Sequence, residues 1–103
     1  MKLEPDLNCP NHYEELTVEQ QRILQDWIYV NFETSERFHL INASNNLKNL
    51  FENSPEGFYI TNGQFKGAMI NAGYKVKDET ERNWCFNVSK RSVKVLREKV
   101  YPK

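Results

Sequence analysis

The stretch that decides the fold is Gly57–Tyr74, GFYITNGQFKGAMINAGY, which carries the clearest helix signal in the chain. Thr61 and Asn62 are residue types whose side chains accept a hydrogen bond from a free backbone N–H in the first turn of a helix. Apolar residues then recur at spacings of three and four, which predicts one buried stripe: Phe65, Ala68, Met69 and Ala72. Gly73 follows this stripe, where a residue in the left-handed conformation would end the helix.

The opposite face of this helix is polar and consists of three amides and a lysine: Asn62, Gln64, Lys66 and Asn71. Such a face could read DNA, because amides pair bidentately with adenine and a lysine can meet guanine or phosphate. The alternative is an ordinary surface helix with a hydrated outer face, since most surface helices are amphipathic.

Length and composition predict one folded domain. The chain has 103 residues, of which 39% are apolar and 13% aromatic, and its mean hydropathy of −0.77 favours a soluble protein. No apolar run approaches the ~20 residues of a membrane span, and the first residues lack the apolar segment of a signal peptide. We therefore expect a cytoplasmic protein with no membrane contact, in which Cys9 and Cys85 are free thiols.

The formal net charge is zero, but the charges are unevenly distributed. Residues 1–53 carry nine acidic and four basic side chains, a net charge of −5, and residues 54–103 carry ten basic and five acidic ones, a net charge of +5. The basic half could present a positive surface to a partner. The alternative is that the two halves attract each other within the fold.

The first half of the chain predicts an arm, two helices and a short strand. Residues 1–16 form an N-terminal arm or tail. Thr17 and Gln20 fit a capping box that opens a helix ending near Asn31. Its apolar face is Val18, Ile23, Leu24, Trp27 and Ile28. The apolar run 38–41 predicts a strand, and Ser44 is expected to cap the next helix.

After Gly73 the apolar pattern changes to a period of two. Residues 74–77 and 84–88 alternate as half-buried strands do, and the charged segment 78–83 lies between them, so the sequence predicts a β-hairpin. Ser89 can then cap a basic C-terminal helix.

This order of elements predicts an α+β winged-helix-like domain over residues 17–103, in which a helix-turn-helix precedes a β-hairpin wing and a C-terminal helix. The third helix would read DNA. A domain of this size has one core, and we expect these residues in it: Trp27, Leu50, Phe51, Phe65, Met69, Trp84 and Phe86.

The candidate DNA contacts lie on three elements. Besides the four polar residues of the third helix, Lys75, Lys77 and Arg82 would contact phosphates from the wing. Lys90, Arg91 and Lys94 would extend the basic surface on the last helix. Duplex DNA is favoured over a single strand as the partner. The alternative is a host or phage protein bound through exposed tyrosines, for which the candidates are Tyr13, Tyr29, Tyr59 and Tyr101.

Two segments, YITNGQFKGAM (59–69) and NWCFNVS (83–89), resemble short winged-helix-like proteins carried by phages and phage-related genomic islands of Gram-positive bacteria. More loosely, they are similar to the winged-helix tail of some phage replication proteins. The resemblance covers roughly residues 38–92. It implies a mobile-element origin, a cytoplasmic setting and a regulatory or interaction role without catalysis.

The sequence contains no pattern typical of an enzyme or of a bound cofactor. No nucleophile elbow, zinc-protease helix or phosphate-binding glycine loop is present. The acidic segment 78–81 lacks the number and spacing of calcium ligands, so a hydrated turn is favoured. Cys9 and His12 have a spacing found in zinc sites, and with His39 and Cys85 they could form a Cys2His2 set. No metal is the favoured interpretation, because the other spacings match no compact zinc motif.

Overall fold

The computed structural model describes residues 7–39 and 43–102. The regular elements in these ranges are a 3₁₀ helix (Pro10–Glu15) and the helices α1 (Val18–Asn31), α2 (Ser44–Glu52), α3 (Asn62–Asn71) and α4 (Lys90–Val100). No sheet forms among the described residues, which pair only at isolated bridges. The predicted α+β winged-helix class is therefore wrong.

The helix starts follow the capping chemistry of the sequence. The Thr17 hydroxyl accepts a hydrogen bond from the Gln20 N–H at 3.0 Å, and the Gln20 side chain accepts one from the Thr17 N–H at 2.9 Å, which confirms the predicted capping box of α1. Thr61 and Gln64 form a second box at the start of α3. Gly73 has a φ of 94° just beyond α3, as predicted for a residue that ends a helix.

The predicted caps of the other two helices have different outcomes. The Ser89 side chain accepts a hydrogen bond from the Ser92 N–H at the start of α4, which confirms this cap. The cap predicted at Ser44 is wrong, because Ala43 holds that position and Ser44 is the first residue of α2. The Ser44 hydroxyl instead accepts a hydrogen bond from the Trp84 N–H at 3.0 Å and ties α2 to the segment before α4.

The predicted β-hairpin wing does not form. Residues 74–77 and 84–88 meet at a single antiparallel bridge between Val76 and Phe86. The Lys75 N–H donates to the side-chain oxygen of Asn87 at 2.7 Å. In a longer β-ladder this N–H would donate to a backbone carbonyl of the neighbouring strand. The segment 84–88 also bonds elsewhere, through single bridges from Cys85 to Ala43 and from Val88 to Thr34. It therefore connects several parts of the fold instead of pairing along one strand.

The strand predicted over residues 38–41 lies partly outside the described residues. Phe38 and His39 belong to no regular element, and residues 40–42 are not described.

One apolar core holds the helices together, and the predicted membership is confirmed. All seven expected residues are buried in one cluster, with Leu24, Ile28, Leu47, Ile60 and Val88 among their neighbours. The Trp27 ring meets Phe32 and Phe51 edge to face, each at 5.1 Å between ring centroids, and its indole N–H donates to the buried Ser54 hydroxyl at 3.0 Å. The prediction that Val18 belongs to the buried face of α1 is wrong, since its side chain is 84% exposed.

Candidate interaction surfaces

Residues 7–16, here called the arm, lie directly against α3. The Gly63 N–H donates to the Leu7 carbonyl at 2.8 Å. A Cβ atom placed on Gly63 would lie 2.1 Å from the Cys9 carbonyl oxygen, and one on Gly67 would lie 2.4 Å from the Pro10 carbonyl oxygen. Glycine has no side chain, so the backbone of the arm approaches α3 more closely than it could if any other residue type stood at positions 63 and 67.

Polar side chains fasten the arm to α1 and α3. Gln25 of α1 donates to the Tyr13 hydroxyl at 3.1 Å and to the Ala68 carbonyl of α3 at 2.9 Å. Gln21 donates to the Leu16 carbonyl at 3.1 Å. Leu16 itself is buried, so the arm ends inside the core. The face of α3 next to Gly63 and Gly67 is therefore covered by the chain's own N-terminal segment.

Three of the four α3 residues predicted to read DNA have internal roles. The amide nitrogen of Asn62 lies within hydrogen-bond distance of the Asn8 side chain, the Arg82 carbonyl and the Asn83 side chain, at 2.9 to 3.2 Å. Gln64 closes the capping box of α3. The prediction that Lys66 lies on the outer face of α3 is wrong, because only 2% of its surface is exposed. Asn71 alone is exposed, at the C-terminal end of the helix.

The three cations predicted on the wing lie on an irregular connection. Lys75, Lys77 and Arg82 are exposed, so their ammonium and guanidinium groups face solvent. The backbone of this connection is fixed by the Lys77 N–H, which donates to the Cys85 carbonyl at 2.9 Å. These residues could add positive charge to a binding surface, but they do not project from a hairpin.

Helix α4 presents the clearest charged surface of the described chain. Its buried side is formed by Ser92, Val93 and Leu96. The cations predicted there are exposed, and the same helix carries two more, an exposed Lys99 and a partly buried Arg97, which gives Lys90, Arg91, Lys94, Arg97 and Lys99. We call these five residues the α4 cations. Glu98 is the only acidic residue among the eleven of α4, so the helix is strongly basic.

The α4 cations differ from the cations of α1 and α2 in having no ion pair within the described ranges. In α1, Arg22 pairs with Glu19 and with Asp26, and in α2 Lys48 pairs with Glu52 at 2.9 Å. In α3, Lys66 lies over the Trp84 ring. Among residues 7–39 and 43–102, no carboxylate lies within ion-pair distance of any α4 cation. Their charges are therefore available to an external anion.

The residues considered for metal binding do not form a site. Within the described ranges, no three His, Cys, Asp or Glu side chains cluster in a way that could hold an ion. The thiol of Cys85 lies against the His39 carbonyl at 2.8 Å, and His12 pairs with Glu15 at 2.9 Å. The described structure therefore does not bring Cys9, His12, His39 and Cys85 together as a Cys2His2 set. Burial raises the pKa of the Cys85 thiol, although the positive charge of Lys77 opposes this shift.

The acidic segment 78–81 is organised by a local turn. The Asp78 carboxylate accepts hydrogen bonds from the Thr80 hydroxyl at 2.6 Å and from the Thr80 N–H at 2.9 Å. These hydrogen bonds lower the pKa of Asp78. One carboxylate oxygen, Oδ1, accepts both hydrogen bonds and holds this turn.

Sequence reasoning missed two features of these surfaces. Gly63 and Gly67 are four residues apart and so lie on one face of α3, a spacing that indicates close backbone packing. This signal could have identified the arm as the partner of α3. Arg97 and Lys99 continue the charged surface of Lys90, Arg91 and Lys94, and the helical period alone would have added them.

Comparison of the chain with protein-family models, curated proteins and solved structures gives no match. The resemblance to phage proteins therefore stays a prediction. Within the described residues, no helix combines the length and the apolar character needed to cross a membrane.

Proposed function

We propose that this chain is a small DNA-binding protein that holds the backbone of duplex DNA through α4 and not through α3. The observation that carries the proposal is the set of five α4 cations without an ion pair in the described chain. Duplex DNA carries about one negative charge per 1.7 Å of its axis, so neighbouring cations on one helix can each meet a phosphate. Lys75, Lys77 and Arg82 would add contacts from the connection before α4.

The arrangement of α4 supports contact with phosphates more than with bases. Lys90, Lys94 and Arg97 follow each other at spacings of four and three, so they form one row along the helix. Phosphate contacts position a protein on the duplex but carry no sequence information. The amides that could have read bases, Asn62 and Gln64, are bonded within the protein. The expected binding is therefore weak in sequence preference and strongly dependent on salt.

A cytoplasmic location and a regulatory role in a mobile element belong to the same proposal. Both rest on the resemblance of segments 59–69 and 83–89 to phage-borne proteins. A protein that covers DNA without reading bases could adjust access to a replication origin or promoter. No catalytic role is proposed.

Fluorescence anisotropy with a labelled duplex at several salt concentrations tests DNA binding by α4. If all five α4 cations contact phosphates, the slope of log K against log salt should be about −4.5, since each contact contributes ~0.9. Arg91→Ala with Lys94→Ala should reduce the slope by about 2 in magnitude. The matched control is Arg22→Ala, because Arg22 is already paired with two carboxylates.

If the α4 double variant binds the duplex with the same affinity and the same salt dependence as the unchanged protein, the proposed surface is contradicted. Absence of any anisotropy change at low salt would contradict DNA binding itself, because non-specific binders reach a Kd of ~10⁻⁴–10⁻⁶ M even at physiological salt. A single-stranded probe of the same sequence separates duplex from single-strand preference, with a shallower slope of ~0.7 per contact for the single strand.

A second candidate function, docking on a host or phage protein, is favoured by exposed tyrosines. Tyr29 is 87% exposed, Tyr59 77% and Tyr101 49%, and tyrosine is enriched at protein interfaces. Tyr13 is not in this group, because it is only partly exposed and packs against the core. Isolation of a stoichiometric partner after nuclease treatment, lost in Tyr59→Ala but kept in Arg91→Ala, would favour this function over DNA binding.

A further inference from the structure

Within residues 7–39 and 43–102, no ion pair joins the acidic half of the chain to the basic half. Every ion pair of the described residues joins side chains three or four positions apart: His12–Glu15, Arg22–Glu19, Arg22–Asp26 and Lys48–Glu52. None links an acidic residue of the first half to a cation of the second. The charges that are not paired locally, which include those of the α4 cations, therefore remain available to partners outside the molecule, and the zero net charge means that two copies do not repel each other.

The outer face of α1 has the properties of a docking surface. Tyr29 and Val30 are adjacent and are 87% and 76% exposed. A groove of about 380 Å³ lies on the Val30 side, and one of about 450 Å³ lies on the Tyr29 side. Asp26 lines both grooves and is paired with Arg22 of the same helix at 3.3 Å across an exposed surface, so a cation of a second copy would exchange for or add to that pair. Exposed Glu33 follows α1 and is not ion-paired within the described ranges. We call Asp26, Tyr29, Val30 and Glu33 the α1 face.

Helix α4 carries the complementary properties on the same molecule. Between its cations lies Val95, which is 48% exposed, and Tyr101 just beyond the helix is 49% exposed. Tyr101 borders an open groove of about 570 Å³ together with Lys94, Arg97 and Glu98. Both surfaces thus combine an apolar centre with charged side chains, and the prevailing charge is negative on the α1 face and positive on α4, where Glu98 is the one acidic residue of the helix. Complementary potentials of this kind steer association and suppress other orientations.

We propose that the α1 face binds α4 of a second copy of this chain. Tyr29 and Val30 would pack against Val95 and the stems of neighbouring cations, while Asp26 and Glu33 would meet Arg91 and Lys94. The contact joins two different surfaces, so each copy has one donor and one acceptor surface. This inference does not depend on DNA binding, although DNA and a second copy would compete for α4.

Two charge-reversed variants test the contact. Asp26→Lys with Glu33→Lys alters only the α1 face, and Arg91→Glu with Lys94→Glu alters only α4. All four positions are exposed, so melting curves by circular dichroism should overlay that of the unchanged protein. Sedimentation equilibrium of the unchanged protein at about 50 mM salt should show a mass above 12.2 kDa that increases with concentration. At about 1 M salt, where the Debye length is only ~3 Å, the mass should return to that of the monomer.

Each variant alone should stay a monomer at low salt, because one of its two surfaces carries the wrong charge. An equimolar mixture should associate again, since the unchanged α4 of one variant can bind the unchanged α1 face of the other, and the two charge-reversed surfaces attract each other as well. A mixture that stays monomeric, or an unchanged protein that is monomeric at every concentration, would overturn the proposal. Association of the α1 variant with itself would overturn it as well.

The same variants separate this proposal from the proposed function. The α1 variant should bind the labelled duplex as well as the unchanged protein does, and the α4 variant should lose that binding. If both variants still bind the duplex, the result would count against the proposed function, and the mixing result would still stand. A monomeric mixture with normal DNA binding would count against the second copy alone.

Discussion

The ammonium nitrogen of Lys66 lies 4.6 Å from the centroid of the Trp84 ring. Lys66 comes from α3 and Trp84 from the segment before α4, so this contact joins two parts of the fold through the buried side of α3. The Trp84 indole N–H donates to the Glu79 carbonyl at 3.1 Å, and this hydrogen bond fixes the orientation of the ring. A lysine with only 2% exposure in this position has a structural role.

Replacing Lys66 with alanine should destabilise the protein. The substitution removes a desolvated cation–π contact worth up to ~2 kcal/mol together with the packing of the buried stem. We expect a loss of ~1–3 kcal/mol in the free energy of unfolding, measured by urea titration. Asn71→Ala is the control on the same helix, because Asn71 is exposed and should change stability by less than ~0.5 kcal/mol. Equal midpoints for the two variants would contradict the role of Lys66.

Phe65→Ala should cost ~3–5 kcal/mol, the usual loss for a buried aromatic side chain. Phe65 has no exposed surface, and the neighbouring core residues are too well packed to fill the space. Ile70→Ala serves as the comparison, since Ile70 lies on the same helix with 44% of its surface exposed. Thermal melting followed by circular dichroism should separate the two variants clearly. A Phe65→Ala midpoint equal to that of Ile70→Ala would show that this face of α3 is not buried.

Gly67→Ala should loosen the arm even though alanine favours helix formation. Inside an exposed helix this change would stabilise by about 1 kcal/mol. Here the new Cβ would lie 2.4 Å from both the Pro10 carbonyl oxygen and the Tyr13 Cβ, so one backbone must move. We expect faster amide hydrogen exchange in residues 7–16 and a lower melting temperature. A stabilised variant with unchanged exchange would show that the arm is not packed on Gly67.

The Cys85 thiol should react slowly with alkylating reagents in the folded protein. Only 8% of Cys85 is exposed, and burial raises the pKa of its thiol, so less of the reactive thiolate is present near neutral pH. In Cys9→Ser, where Cys85 is the only thiol, unfolding in urea should accelerate alkylation at least about tenfold at pH 8.

The raised pKa of Cys85 also predicts how stability depends on pH. Below the pKa of the unfolded thiol, Cys85 is protonated in the folded and in the unfolded protein, and its contribution to the free energy of unfolding is at its largest. As the pH rises through the folded pKa, that advantage is lost, because the unfolded state ionises first. In Cys9→Ser, unfolding free energies should therefore fall above about pH 8.5, and Cys85→Ala should flatten this fall.

The local sequence determined where most helices begin and which side chains enter the core. The Thr17 box, the Ser89 cap and the left-handed Gly73 were predictable because each depends on hydrogen bonds or backbone geometry within a few residues. The seven expected core residues were predictable because a chain of 103 residues forms a single core, and apolar side chains at helical or alternating positions are buried in it together.

Only the tertiary structure decided which polar residues face solvent. Lys66 stands three residues before Met69, so the period of α3 places it beside the apolar stripe, and the Trp84 ring covers it there. The arm covers the side of α3 that carries Gly63 and Gly67, which leaves Asn71 as the exposed member of the predicted polar face. The alternation in residues 84–88 correctly marked Trp84, Phe86 and Val88 as buried, yet it could not say with which segments their backbone would pair. Pairing depends on which donors and acceptors the rest of the chain brings close, and here Ser44 and Asn87 supply side-chain partners that replace a hairpin ladder. The charge of α4 was readable from the sequence, but the absence of ion pairs between that helix and the described acidic residues follows only from where the helices pack.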